Sequence, residues 1–393
     1  MTVQNNFQDA HAAIIDLVER FEKNKQHYLS ASYQEQEARK DFLDKFFMAL
    51  GWDVNHETQT NPYEQEVKIE KSVTTGTAKR RADYSFSLTP HFTKRPRFFV
   101  EAKRPQQDIA TPDNYFQSIR YSWSHQLPLV VLTDFHSFHI IDSRHRPDIK
   151  TALLRKLAIY NYREYRDPDV FAKIYWLFSR EATLSDAIGK YAETLEKPTA
   201  SGKQLALFAG GYQSIDDAFL GQLDQYREDL ARSFKRHNPE LNSEQLTEVV
   251  QRLLDRLVFT RFLEDKLIEP NPIISQLGTK TSAWKQFVRE CDRLDKQYNG
   301  VVYKHHSILD SPSFVVDDAA FLAICDELTD PTSPYDFNAI PVEILGRIYE
   351  RFLGKIVVAT AKRAKVEEKP DVRKAGGVFY TPDYIVAYMV EQA

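Results

Sequence analysis

Apolar positions near the start of the chain recur at helical spacing. Ile14, Ile15, Val18 and Phe21 do so within residues 7–29, and YQEQEARKDFLDKFFMAL at 33–50 repeats the pattern before Gly51, a residue suited to end a helix. From Val67 to Asp142 the period becomes that of strands. VKIEKSVTT, ADYSFSL and RFFVEAK are three expected strands, DNYFQSIRYSWSH an expected helix, and LPLVVLT and SFHIID two further strands. Helix, three strands, helix and two strands predict an α/β core whose sheet is flanked by helices.

Beyond about residue 150 the strand signal fades. LTEVVQRLLDRLVFTRFLEDKL and PVEILGRIYERFLGKIV are amphipathic and predict a helical bundle. Two stretches look like linkers, KPTASGKQLALFAGGYQSID at 197–216 and the charged, Gly-Gly-broken AKRAKVEEKPDVRKAGG at 361–377. The expected organisation is an α/β domain over 1–180, an all-α connector over 181–370, and a separate terminal segment over 371–393. No repeat of solenoid length is present.

Composition narrows the class. The 393 residues are 42% hydrophobic and 27% charged, enough apolar material for a buried core. Lys and Arg number 52 against 56 Asp and Glu, a formal charge of −4, so any nucleic-acid surface must be a local basic groove. Two cysteines are too few for a disulfide framework or a Cys-rich zinc site and suit a reducing compartment. With no apolar run of membrane-spanning length and no signal-like N-terminus, the chain reads as cytoplasmic. His136 and His139, three apart in an expected strand, fall on opposite faces, and no histidine has metal-ligand spacing.

The charges inside the apolar strands carry the chemistry. Residues i and i+2 of a strand share a face, so Glu101 and Lys103 project together while Phe98, Val100 and Ala102 face the other way. Asp83 lies in the preceding strand, where a hairpin could bring it beside Glu101. Two carboxylates at a sheet edge make a hard-oxygen site for Mg²⁺, with Mn²⁺ able to substitute, and a neighbouring lysine can orient or help deprotonate an attacking water. The acid-x-Lys tripeptide by itself is weak, since Glu66-Val-Lys68 and Asp148-Ile-Lys150 also have it. The apolar run before Glu101, Asp83 in its own strand and the helix that follows set this one apart from a surface salt bridge.

This arrangement resembles the PD-(D/E)XK nuclease superfamily, with Asp83, Glu101 and Lys103 in the positions of its acid, acid and lysine. Two further matches support the resemblance. The helix beginning at Tyr33 is similar to the opening helix of restriction-enzyme nuclease domains, with Glu35 as an added metal-site acid and Arg39 four residues on; Glu37 lies off that face. Gln117 and Tyr121 match a Gln-x-x-x-Tyr helix behind the lysine strand. The resemblance implies a restriction-endonuclease-like mixed sheet, metal ligands Asp83, Glu101 and Glu35, catalytic parts for Lys103 and Gln117, and double-stranded DNA as partner. Transient dimerisation on DNA is left open. Lys79, Arg80, Arg81, Lys94, Arg95 and Arg104 surround these strands and could hold phosphates.

AGGVFYTPDYIVAYMVEQA, at the end of the sequence, resembles the element that opens adenine-N6 DNA methyltransferase domains. That likeness implies contact of Phe379, Tyr380, Thr381 and Pro382 with S-adenosylmethionine in a full-length form. The Asn-Pro-Pro-Tyr motif of those enzymes is absent, so methylation is not expected of residues 1–393 by themselves. Taken together the segments resemble the first part of a fused restriction-modification enzyme of the Type IIG kind, and imply a Mg²⁺-dependent endonuclease portion. Target recognition and methylation are then expected of domains beyond residue 393. A non-catalytic DNA-binding scaffold coupled to a methyltransferase is the alternative.

Overall fold

A computed structural model describes residues 6–62, 64–69, 82–88, 95–196, 214–278, 282–341, 344–346, 348, 350, 354–359, 364–368, 381 and 383–392. It divides into two compact units, Met1–Ile215 with Asp383–Ala393, and Asp216–Pro382.

The first unit is built on a six-stranded sheet in simple sequence order. Its strands are β1 (Val67–Ile69), β2 (Tyr84–Phe86), β3 (Phe98–Ala102), β4 (Leu129–Thr133), β5 (Ser137–Asp142) and β6 (Lys156–Asn161). All neighbours are antiparallel except β3 and β4, which run parallel and are joined by the helix α5 (Pro112–Ser124). A parallel pair needs a crossover long enough to return the chain, and α5 supplies it. Thr111 begins that helix, its side chain accepting from Asn114 N, with proline at the first helical position.

Side-chain alternation in β3 divides the core into two layers. Phe98, Val100 and Ala102 pack with the aromatic cluster of Phe21, Phe42, Phe46, Phe135 and Phe178. These come in part from α1 (Phe7–Lys23), α4 (Asp44–Ala49) and α6 (Pro168–Phe178). Phe99 points the other way, to Tyr115, Phe116 and Ile119 of α5. The sheet is therefore covered on both faces, which is why β3 and β4 are buried at every position. Two short helices, α7 (Arg180–Leu184) and α8 (Ala187–Thr194), close this unit, and Ile188 belongs to its core. Arg180 reaches the fully buried Glu66 with Nε–Oε2 at 2.6 Å and Nη2–Oε1 at 2.9 Å, tying α7 to the start of β1.

The helix expected over 33–50 forms, but not as a regular α-helix. Glu35–Ala38 (α3) leads into a π-helical turn, Arg39–Leu43, and then into α4. Gly51 ends it at φ +88°, a backbone conformation that favours glycine, with Gly51 N bonded to Met48 O at 2.9 Å. The helix expected over 7–29 breaks at Asn24 and resumes as α2 (Lys25–Tyr28). Strand β6 was not expected. Its KLAIYN sequence lies at the sheet edge with mixed exposure, so neither a continuous apolar run nor strict alternation marks it.

The second unit contains α9 (Ile215–His237), α10 (Ser243–Asp265), α11 (Ala283–Tyr298) and α12 (Asp318–Thr329). It is not all-α, which corrects the expectation. Lys355–Ala359 (β7) and Ala364–Glu368 (β8) form an antiparallel hairpin, where a continuing helix and a linker were expected. The β-branched run Ile356-Val357-Val358 favours a strand. The buried Val357 donates its N–H to Thr247 Oγ1 of α10 at 3.0 Å, and the face of β8 pairs Lys365 with Glu367 at 3.1 Å.

Candidate active site

The hairpin register sets the site. Tyr84 pairs with Val100 and Ser85 with Phe99, so Asp83 lies one step beyond the ladder, opposite Glu101. The Asp83 carboxylate accepts the Ala102 N–H at Oδ2 (2.7 Å) and Arg39 Nη1 at Oδ1 (3.0 Å), and Arg39 Nη2 also reaches the Asp83 main-chain oxygen at 3.3 Å. Both oxygens are thus fixed by the chain itself, each with a lone pair to spare.

Glu101 projects from β3 on the α5 side, as alternation requires, and is 6% exposed. Its Oε1 accepts Lys103 Nζ at 2.5 Å and Gln117 Nε2 of α5 at 3.1 Å. Lys103 is anchored in turn by its own N–H, which donates to Thr133 O of β4 at 2.9 Å. Oε2 of Glu101 receives no described donor. Burial pushes the Glu101 carboxyl up to about 7; Lys103 opposes the rise, and the negative charges of Asp83 and Glu35 add to it. A carboxylate repelled by two others and short of donors favours a cation.

Glu35, in the first turn of α3, is half-buried and close enough to influence both Glu101 and Arg39 electrostatically. Glu37 is occupied elsewhere: its Oε2 accepts Gln34 N at 2.7 Å in a capping box. Tyr121 packs edge-on against Phe99 with ring centres 4.6 Å apart. Of the surrounding basic residues, Arg95 is exposed and Arg104 half-buried; Lys79, Arg80, Arg81 and Lys94 lie outside the described residues. So do Phe379, Tyr380 and Pro382 of the terminal element, while Thr381 is exposed.

The oxygen-only donor set of Asp83, Glu101 and Glu35 suits Mg²⁺ or Mn²⁺ by its chemistry, and Glu101 Oε2 is available to an ion. Among the described residues no three His, Cys, Asp or Glu side chains are gathered closely enough to form a ready-made ligand cluster. Water and substrate oxygens would complete the coordination, as is usual for Mg²⁺.

Two residues at this site escaped the reading of the sequence. Tyr84 is fully buried beside Asp83 and donates its hydroxyl to Asp44 Oδ1 of α4 at 2.7 Å. The Arg39 guanidinium lies over the Tyr84 ring at 4.8 Å. The available signal was an acid, Asp44, set in the apolar stripe of Phe42, Leu43, Phe46 and Phe47.

No model of a known protein family matches the chain. A search of solved structures finds the type IIG restriction endonuclease BpuSI, 12% identical, covering 80% of this chain and 31% of that one, at a TM-score of 0.22, too low to establish a shared fold. Curated proteins include the Type II restriction enzyme and methyltransferase RM.Eco57I of Escherichia coli, 28% identical over 379 residues. With 95% of its length matched, the chain is related to a fused Type II restriction enzyme and methyltransferase, of which it spans 36%.

Proposed function

We propose that the first unit is a metal-dependent DNA endonuclease of the PD-(D/E)XK kind, the cutting portion of a fused restriction-modification enzyme. The observation that carries this reading is the meeting of Asp83, Glu101 and Lys103 across the β2–β3 hairpin, with Gln117 closing the α5 side. RM.Eco57I, a Type II restriction enzyme and methyltransferase, points the same way.

Asp83 and Glu101 would hold Mg²⁺, and Glu35 would add a carboxylate directly or through water. When bound there, the ion polarises the scissile phosphodiester and makes an adjacent water more acidic. Lys103, whose ammonium already lies in this cluster, orients the attacking water in line with the leaving oxygen and stabilises the charge that develops. Gln117 holds Glu101 Oε1, leaving Oε2 able to ligate a cation. Arg95 and Arg104 bear on backbone phosphates, which fix position without reading sequence.

Supercoiled plasmid incubated with the purified chain and Mg²⁺ or Mn²⁺ tests this. Nicking that stops with a chelator and in Asp83→Ala is the expected result. Metal-dependent nicking that survives Asp83→Ala unchanged removes the site. A non-catalytic DNA-binding scaffold is the second reading, supported by the bonds that Arg39 and Ala102 already make to the two Asp83 carboxylate oxygens. It predicts DNA binding with no metal response and no nicking.

A further inference from the structure

Asp83 and Tyr84 are consecutive, and each is gripped by one end of the same π-helical turn. Arg39 opens the turn and bonds Asp83; Asp44 follows it and accepts the Tyr84 hydroxyl. In a regular α-helix residues five apart diverge by about 140°, so these two side chains could not both address one short strand. Here Asp44 N–H bonds to Arg39 O, the five-residue spacing of a π-helix, which stacks the two residues on one face. The Arg39 guanidinium then rests on the ring of Tyr84, 4.8 Å from its centre, while forking onto the carboxylate and main-chain oxygens of Asp83. The contacts close into a ring running from Arg39 to Asp83, along the backbone to Tyr84, across to Asp44, and back through the π turn.

We propose that Tyr84 and Asp44 are positioning residues for the metal-binding carboxylate of Asp83, acting through Arg39; this rests on the metal-site reading above. Neither touches the ion or the substrate. Asp44 fixes the Tyr84 hydroxyl, the immobilised ring gives Arg39 a flat platform, and the guanidinium fork sets the Asp83 carboxylate in one orientation before a cation arrives. An Asp83 free to rotate would lose that orientation on each opening, and groups that orient a ligand from outside are worth about 10–100-fold in metal affinity.

The test is Mn²⁺ affinity of the full chain, measured by calorimetry or electron paramagnetic resonance without DNA. Tyr84→Phe, which removes one oxygen and keeps the ring, is expected to weaken Mn²⁺ binding about 10-fold, as is Asp44→Ala. Asp44→Asn retains an acceptor for the Tyr84 hydroxyl and is expected to stay within about threefold of the parent. Tyr115→Phe is the control for simple loss of a buried hydroxyl, since Tyr115 bonds His139 at 2.7 Å on the α5 side of the sheet; it should melt lower and bind Mn²⁺ unchanged. If Tyr84→Phe and Asp44→Ala bind Mn²⁺ like the parent while Asp83→Ala does not bind, the positioning role is wrong and the metal site stands. If Asp83→Ala itself binds Mn²⁺ like the parent, both fall together. Equal weakening in Tyr115→Phe would reduce the effect to general destabilisation and also overturn the role.

Discussion

Each unit buries a charged pair, and the two pairs are finished differently. In the second unit Arg256, fully buried, forks onto Asp310 with Nη1–Oδ1 at 2.6 Å and Nη2–Oδ2 at 2.7 Å. Two further donors go to Val302 O and Lys304 O, and the His306 N–H adds a second bond to Asp310 Oδ2. All three guanidinium nitrogens and both carboxylate oxygens are engaged by the protein. At Glu101 both donors fall on Oε1 and Oε2 is left over. The difference separates an ion pair that closes a fold from one that still has bonding capacity for something outside it.

That contrast can be broken most sharply by removing one member of each pair. Lys103→Ala is expected to slow metal-dependent nicking by about 10²–10³-fold, the range for one donor that stabilises developing charge, while leaving the urea midpoint of the chain nearly unchanged because the raised Glu101 carboxyl can take up a proton. A variant that nicks at the parent's rate would place the lysine outside the chemistry. Asp310→Ala should do the reverse. Stranding Arg256 in the interior costs about 3–5 kcal/mol, read as a lowered urea midpoint for the second unit. A loss below about 1 kcal/mol would mean that the pair is solvated in a way its burial does not suggest.

The two acids also diverge with pH. Burial pushes Asp310 up, but its bonds to Arg256 and the His306 N–H outweigh this and its carboxyl lies below the usual range. Such a group adds stability that is present above its unfolded pKa and is lost as pH falls through the folded one. Glu101 is shifted the other way, from 4.5 to about 7. Its contribution in the metal-free chain is present below the unfolded value and lost as pH rises through about 7. Thermal melts from about pH 5 to about pH 8 should therefore show Glu101→Gln gaining on the parent as pH rises. Asp310→Asn should trail the parent by a constant margin over that range and close on it only as pH falls below about 4, where the parent loses the ionised carboxylate. Parallel curves for Glu101→Gln and the parent would count against the raised carboxyl.

The smallest effect expected concerns His139. Burial holds its ring at about 4, so the folded chain keeps it neutral where an unfolded histidine binds a proton. Stability from this residue is present above about 6.5 and is lost as pH falls toward about 4. His139→Phe should make the acid limb of the melting curve slightly shallower, and an unchanged limb would show that the ring protonates without cost.

What the sequence made legible was local. The alternation of RFFVEAK put Glu101 and Lys103 on one face and Phe98, Val100 and Ala102 on the other, and the two core layers divide that way. Gln117 was placed near the acid by its match to the Gln-x-x-x-Tyr helix, and α5, which returns the chain to a parallel β4, carries its Nε2 to Glu101. The clamp on Asp83 was not legible. An extra residue in one helical turn leaves no mark on an amphipathic pattern, so neither the π turn nor the shared face of Arg39 and Asp44 could be read. β8 was hidden for a related reason: AKVEE is charged at three of its five positions and resembles a solvated linker until Val366 is seen opposite Val357.

The outer strand β6 has a consequence for behaviour at high concentration. A strand at the margin of a sheet offers unpaired main-chain groups on which another chain can grow, and Ile159 leaves apolar surface there at 41% exposure. Lys156 stands exposed at its entrance, and the ladder to β5 slips between Ile140 and Ile141. A charge and a local irregularity are the means by which proteins discourage lateral addition of strands. Lys156→Val should therefore bring on light scattering at concentrations where the parent stays clear.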